Sequence, residues 1–211
     1  MPTYLTEWHY QSLQLTPTSD LYYFMYLRDA PKPLLDIGCS VGNMLSIDPE
    51  HSVGIDGDPQ AVEVCSERGF SAEVVDVNGP LPFADASFGA VNARHVIEHL
   101  WEPAPFLREV YRVMRSPGRL VLVTPDFRHA FRVFYNDHTH VHPLTRESLR
   151  RLALEVGFSD FTIRHEGSRI GLRQLVRRGR LSAPSARRLY DLAYAAGIRQ
   201  RKAMILIADK R

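Results

Sequence analysis

The sequence predicts an α/β chain: a doubly wound, mostly parallel sheet with helices on both faces. Three observations lead there. Short apolar runs alternate with amphipathic stretches along most of the chain. Several runs, such as Leu34-Leu35-Asp36-Ile37 and Leu120-Val121-Leu122-Val123, are nearly continuous in apolar residues, as strands covered on both faces are. Proline near the start and glycine just past the end bracket the stretches between them.

Residues 19–30, SDLYYFMYLRDA, read as a short helix with Asp20 as N-cap, and Pro31 and Pro33 break the chain after it. Leu34–Gly38 and Val53–Asp56 are the first two strands. Asp58 and Pro59 then open a helix that runs to Arg68 and closes at Gly69. Ala72–Val77 and Phe88–Val96 are strands. Phe106, Val110, Val113 and Met114 mark a helix over 103–115, and Pro117-Gly118 turns into strand Arg119–Val123. Thr145 caps a helix through Val156, with Leu149, Leu152, Ala153 and Val156 on one face and Gly157 as terminator. Phe161–Arg164 and Ala203–Ala208 are the last strands. Between them lies an inserted helical pair, residues 166–200. Arg169, Arg173, Arg177 and Arg180 recur there at helical spacing opposite Ile170, Leu172, Leu175 and Val176, and Pro184 opens the second helix.

A length of 211 residues suits a single domain over 1–211, with 1–30 as a helical lid and 166–200 as an insertion. No apolar run approaches the ~20 residues that span a bilayer. The first residues show no secretory signal, and Cys39 and Cys65 have neither disulfide nor zinc spacing, so a cytoplasmic location is expected. The net charge of +2 conceals an asymmetry. Residues 164–202 carry ten arginines and Lys202 against Glu166 and Asp191, an excess of +9 over a remainder at −7.

In a doubly wound sheet the ligand sits at the carboxyl ends of the strands. The first loop there reads Asp36-Ile-Gly38-Cys39-Ser40-Val41-Gly42-Asn43, and Asp56 ends the second strand, where an acid can bind a ribose diol. A dinucleotide loop would need glycine at 38, 40 and 43, but Ser40 and Asn43 stand at two of these. Asp36 would also repel a pyrophosphate. A cofactor carrying a sulfonium and an ammonium suits those acids better.

The segments LLDIGCSVGNML, VGIDGDPQAV, AEVVDVNGPLPFADASFGAV, HVIEHL and LREVYRVMRSPGRLVLVTP resemble, in order, the signatures of class I S-adenosylmethionine-dependent methyltransferases. The similarity is greatest to the group holding quinone-biosynthesis and polysaccharide-cluster enzymes, and it covers roughly residues 30–165 and the last strand. It implies a Rossmann-like seven-stranded sheet with an antiparallel last strand, and S-adenosyl-L-methionine as cofactor with S-adenosyl-L-homocysteine as product. It further implies that Asp36 and the backbone of Gly38, Cys39, Ser40 and Gly42 hold the methionine part. Asp56, with Gly57 and Asp58 beside it, would bind the ribose. Asp76 would meet the adenine amino group with Val77 against the ring, and Arg94 and His95 would lie near the reactive end. Only nine residues separate Gly42 from Ser52, so the first helix is expected to shrink to a turn or two.

His138, His140 and His142 alternate, and in an extended segment would share one face. Zinc binding and proton removal from an acceptor are both open to them. In enzymes that this chain resembles such a segment lies near the acceptor, which makes His140 the first candidate for general base and His138 the second. Glu98-His99 is read as orienting its loop. The expected reaction is in-line methyl transfer to oxygen on a small-molecule, glycan or lipid-linked acceptor. The basic segment would meet an anionic membrane surface or a phosphate-bearing substrate. An RNA methyltransferase and a non-catalytic cofactor-binding member are the alternatives.

Overall fold

Seven strands form one sheet in the computed structural model, which describes residues 18–165, 172–197 and 201–211. They are β1 (Leu34–Ile37), β2 (Ser52–Asp56), β3 (Ala72–Val74), β4 (Phe88–Arg94), β5 (Met114–Pro125), β6 (Asp160–His165) and β7 (Ala203–Lys210). Their order is β3-β2-β1-β4-β5-β7-β6, parallel from β3 through β5, with β7 antiparallel to both neighbours. The order reverses between β1 and β4, which opens a crevice at their carboxyl ends.

Alternation along the strands divides the core into two layers. Leu35, Ile37, Val91, Leu120, Leu122 and Leu206 face one side. There they meet Phe106, Leu107 and Val110 of α3 (Pro103–Val113) and Leu149 and Ala153 of α5 (Arg146–Val156). Leu34, Ala90, Val121, Val123 and Ile205 face the other side, against Tyr22 and Tyr26 of α1 (Thr18–Tyr26). The intervening elements are α2 (Pro59–Glu67), α4 (Phe127–Phe134), α6 (Leu172–Arg177) and α7 (Ala183–Ala195). α6 and α7 pack against α1 and each other.

Local signals set most boundaries. The Asp58 carboxylate accepts from Gln60 N at 2.8 Å and Pro59 is the first helical residue of α2. Thr145 and Ser148 form a reciprocal capping pair at α5, and Gly157 ends that helix in the left-handed region. Between β1 and β2 two 3₁₀ turns, Leu45–Ile47 and Pro49–His51, replace a full helix, in keeping with the short spacing.

The structure corrects several expectations. The first helix ends at Tyr26, not residue 30, and its Tyr22 and Tyr26 are 2% and 6% exposed. They form part of the second core layer. β3 stops at Val74 because Asp76 folds the chain back on Asn78. β4 stops at Arg94 because His95 takes φ +56°. α4 was not foreseen: Asp126 caps it by accepting from Arg128 N at 3.2 Å. In the insertion, Arg169 and Ile170 fall outside the described residues, as do the side chains of Arg173 and Arg177. Among the described residues no helix is long and apolar enough to cross a membrane.

Candidate functional site

The loop after β1 is wound tightly onto β2. Gly38 N and Cys39 N both donate to Ile55 O, at 2.8 and 3.1 Å, and Gly42 N donates to Cys39 O at 3.0 Å. Ser40 N donates to Asp56 Oδ2 at 2.8 Å. Positive φ at Gly38 (+72°), Ser40 (+48°) and Gly42 (+83°) makes this path possible. A Cβ added at Gly38 would lie 2.6 Å from Val96 Cγ2, and one at Gly42 would lie 2.6 Å from the Phe70 ring. These glycines therefore serve close packing within the protein as well as the turn. Replacing Gly42 with alanine is expected to cost ~2–4 kcal/mol in urea denaturation, from left-handed strain plus overpacking. Gly69→Ala, with φ +77° and nothing within 4 Å, should show the strain alone, ~1–2 kcal/mol.

Two acids stand where this loop meets the sheet. Asp36, 4% exposed, accepts from Asn92 Nδ2 at 2.6 Å, and Asn92 Oδ1 accepts from Tyr22 OH at 3.0 Å. Burial pushes the Asp36 carboxyl up to about 7, against the opposing pull of the Asn92 bond, with nearby Asp56 raising it further. Asp56 also accepts from Asp58 N at 3.0 Å, and burial holds its carboxyl above the usual range. Gly57 and Asp58 follow it directly into α2. Asp76 is exposed beyond the end of β3, its carboxylate closing the turn on Asn78, whose donors hold it below the usual carboxylate range. Val77 beside it is partly buried against the main core. Cys39 and Cys65 are buried together under the loop, where their mutual contact and burial keep the Cys39 thiol protonated. Cys39 is a packing residue rather than a reactive one.

At the end of β4, the Arg94 guanidinium lies 5.0 Å from the Tyr22 ring centroid, and His95 follows in its left-handed conformation. His95 Nδ1 donates to Glu98 Oε1 at 2.9 Å, since a carboxylate can only accept. Glu98 is fully buried. Its Oε2 accepts from Thr124 Oγ1 at 3.0 Å, and its backbone carbonyl accepts from Val141 N and His142 N. One residue thus ties β4, β5 and the histidine segment together. The His95 side chain remains 44% exposed.

The shared-face expectation for the three histidines is not met. Asp137 wraps residues 137–139 into a turn by accepting from Thr139 N and Thr139 Oγ1, so the segment is not extended there. His138 is exposed. His140 points inward, with Nδ1 donating to Phe134 O at 2.7 Å and its ring 4.8 Å from that of His99. His142 is partly buried and is held through its backbone by Glu98. Sequence reading missed Asn92 as a buried link to Asp36, and it missed the grip of Glu98 on His95. A polar residue inside the apolar run Phe88–Val96 was the available signal for the first.

The donor set fits S-adenosylmethionine. Buried Asp36 and partly buried Asp56 flank the loop, and the loop N–H groups of residues 38, 39, 40 and 42 are consumed within the protein, leaving no amide cradle from them for a diphosphate.

Comparison with known proteins agrees. The methyltransferase-domain family model matches residues 35–122. A probable S-adenosylmethionine-dependent methyltransferase of Mycobacterium tuberculosis is 31% identical over 151 residues, which covers 64% of this chain and 53% of that protein. Ajmaline N-methyltransferase of Rauvolfia serpentina is 27% identical over 137 residues, 60% of this chain and 46% of that protein. The chain spans about half the length of these curated relatives. Among solved structures, a SAM-dependent methyltransferase from Archaeoglobus fulgidus superposes with a TM-score of 0.67 at 21% identity, covering 94% of this chain and 95% of that one. The strand order and the acid-flanked glycine loop, with the family-model match over residues 35–122, make the chain similar to the class I S-adenosylmethionine-dependent methyltransferases.

Proposed function

We propose that the chain transfers a methyl group from S-adenosylmethionine to a hydroxyl of a small-molecule, glycan or lipid-linked acceptor. The observation that carries this reading is the way the first loop spends its N–H groups internally while Asp36 and Asp56 flank it. That arrangement favours a cationic cofactor over a phosphorylated one. The bound cofactor supplies the electrophilic methyl; the protein's part is alignment, exclusion of water and management of one proton. Asp36 faces the ammonium end and Asp56 the ribose, with Asp76 and Val77 along the adenine.

His95 replaces His140 and His138 as the favoured base. It follows the end of β4, next to the cofactor crevice, and its tautomer is set by a buried carboxylate. By contrast His138 stands on an exposed turn, and His140 is turned inward onto Phe134 O. Uptake of the hydroxyl proton at His95 Nε2 would keep the acceptor oxygen nucleophilic as the bond to carbon forms. The basic helical pair is read as gripping an anionic acceptor or an anionic surface. On α7, Leu189 and Leu192 are exposed beside Arg187 and Arg188.

Incubation with methyl-labelled cofactor and fractionated cell extract tests the reading. Label is expected in the small-molecule or lipid fraction, in a linkage of the O-methyl type. Label confined to RNA, or no transfer at all, would overturn it in favour of the RNA or the non-catalytic alternative.

A further inference from the structure

We infer that Asp126, His129 and His165 form a binding site for a divalent ion of the zinc class, set apart from the residues assigned to methyl transfer. Asp126 follows the last residue of β5, His129 lies one turn into α4, and His165 ends β6. The sheet register brings them to one place: Pro125 pairs with Ala203 and His165 with Met204, so all three gather at the edge carrying the cofactor loop. His129 Nδ1 stands 2.9 Å from Asp126 Oδ2, and His165 Nε2 stands 3.2 Å from the same oxygen. The three potential ligand atoms all lie within 4.8 Å of one another.

Two imidazoles and one carboxylate are a donor set used by mononuclear zinc sites, in which a fourth position stays open. Ligand distances of ~2.0–2.2 Å require donor atoms ~3.4 Å apart in a tetrahedral site. The two separations from Asp126 Oδ2 need only small adjustment to meet that. Outer contacts already orient the ligands, as such sites require. Arg128 N donates to Asp126 Oδ1, which leaves Oδ2 for the metal, and the His165 backbone is held by Tyr194 OH and Tyr190 OH. The side chain of Asp126 is 3% exposed, that of His165 15% and that of His129 35%, so the open position would face outward past His129. The Arg164 guanidinium, next to His165 in the chain, lies 5.3 Å from the Tyr26 ring centroid and 5.9 Å from that of Tyr190.

A second group, Glu98, His99 and His140, has a similar composition. There both carboxylate oxygens already accept from His95 and Thr124, so an ion would have to displace donors that the proposed reaction uses. At Asp126 the partners of Oδ2 are the two imidazoles themselves. An ion at Asp126 would offer its open position to an oxygen ligand, a hydroxyl, carboxylate or phosphate.

Titration of the metal-stripped 211-residue chain with Zn²⁺ against a chromophoric chelator tests this, with Co²⁺ absorption reporting coordination number. One ion per chain is expected, with Kd of about 10 µM or tighter and a Co²⁺ spectrum of a four- or five-coordinate site. His129→Ala and Asp126→Asn should each weaken binding at least tenfold. Asparagine keeps the helix cap, so the second variant separates ligation from folding. His140→Ala should bind as the unaltered protein does. Absence of stoichiometric binding, indifference to His129→Ala, or loss in His140→Ala would each overturn the assignment. Binding is read without methyl transfer, so neither reading falls with the other.

Discussion

The variant His95→Asn is expected to lose ~10²–10⁴-fold in kcat while binding S-adenosylhomocysteine within a few-fold of the unaltered chain. Asparagine is the substitution of choice because φ at this position is +56°, which asparagine tolerates and most residues do not. The imidazole is partly exposed, so its removal opens no core cavity. A kcat within about threefold of the original would mean that no proton passes through His95.

The second large effect concerns Asp36. Its carboxyl sits at about 7 in the fold against an ordinary value of 3.8, because the group is buried. The folded chain therefore holds that proton more tightly than the unfolded chain. The associated stability is fully present below about pH 4 and is lost as pH rises to about 7, a swing of up to ~4 kcal/mol. A cationic cofactor needs the ionised form, so its binding should expel a proton near and below pH 7. Affinity should weaken as pH falls from 8 to 6, approaching tenfold per unit at the acid end. Asp36→Asn keeps an acceptor for Asn92 and removes the charge. It should raise the Tm of the ligand-free protein at pH 8, weaken cofactor binding at that pH, and flatten the pH dependence. Calorimetry in buffers of different ionisation enthalpy would detect the proton directly, and an unchanged pH dependence in the variant would contradict this account.

These two groups also show what a sequence can disclose. The strand Leu34–Ile37, the Asp58-Pro59 helix start and the Thr145 cap announce themselves within a few residues, because each is a local balance of donors, acceptors and backbone freedom. Asp36 and Asp56 were legible for a similar reason, as acids at strand ends beside glycines. The buried chain from Tyr22 through Asn92 to Asp36 links positions 70 and 56 residues apart, and only the pairing of β1 with β4 brings it together. His165 likewise reaches Asp126 through sheet register. The histidine segment misled in another way. Its alternation implied an extended strand, but Asp137 and Thr139 supply side-chain bonds that favour a turn. Turn chemistry outweighed periodicity there.

The most direct measurement is calorimetric titration of the chain with S-adenosylhomocysteine and, separately, with NADH. A single site for the sulfur nucleoside in the ~1–100 µM range, with no heat from the dinucleotide, is what an acid-flanked loop with its amides already engaged should give. Saturable uptake of NADH, or no response to the nucleoside at millimolar concentration, would contradict it.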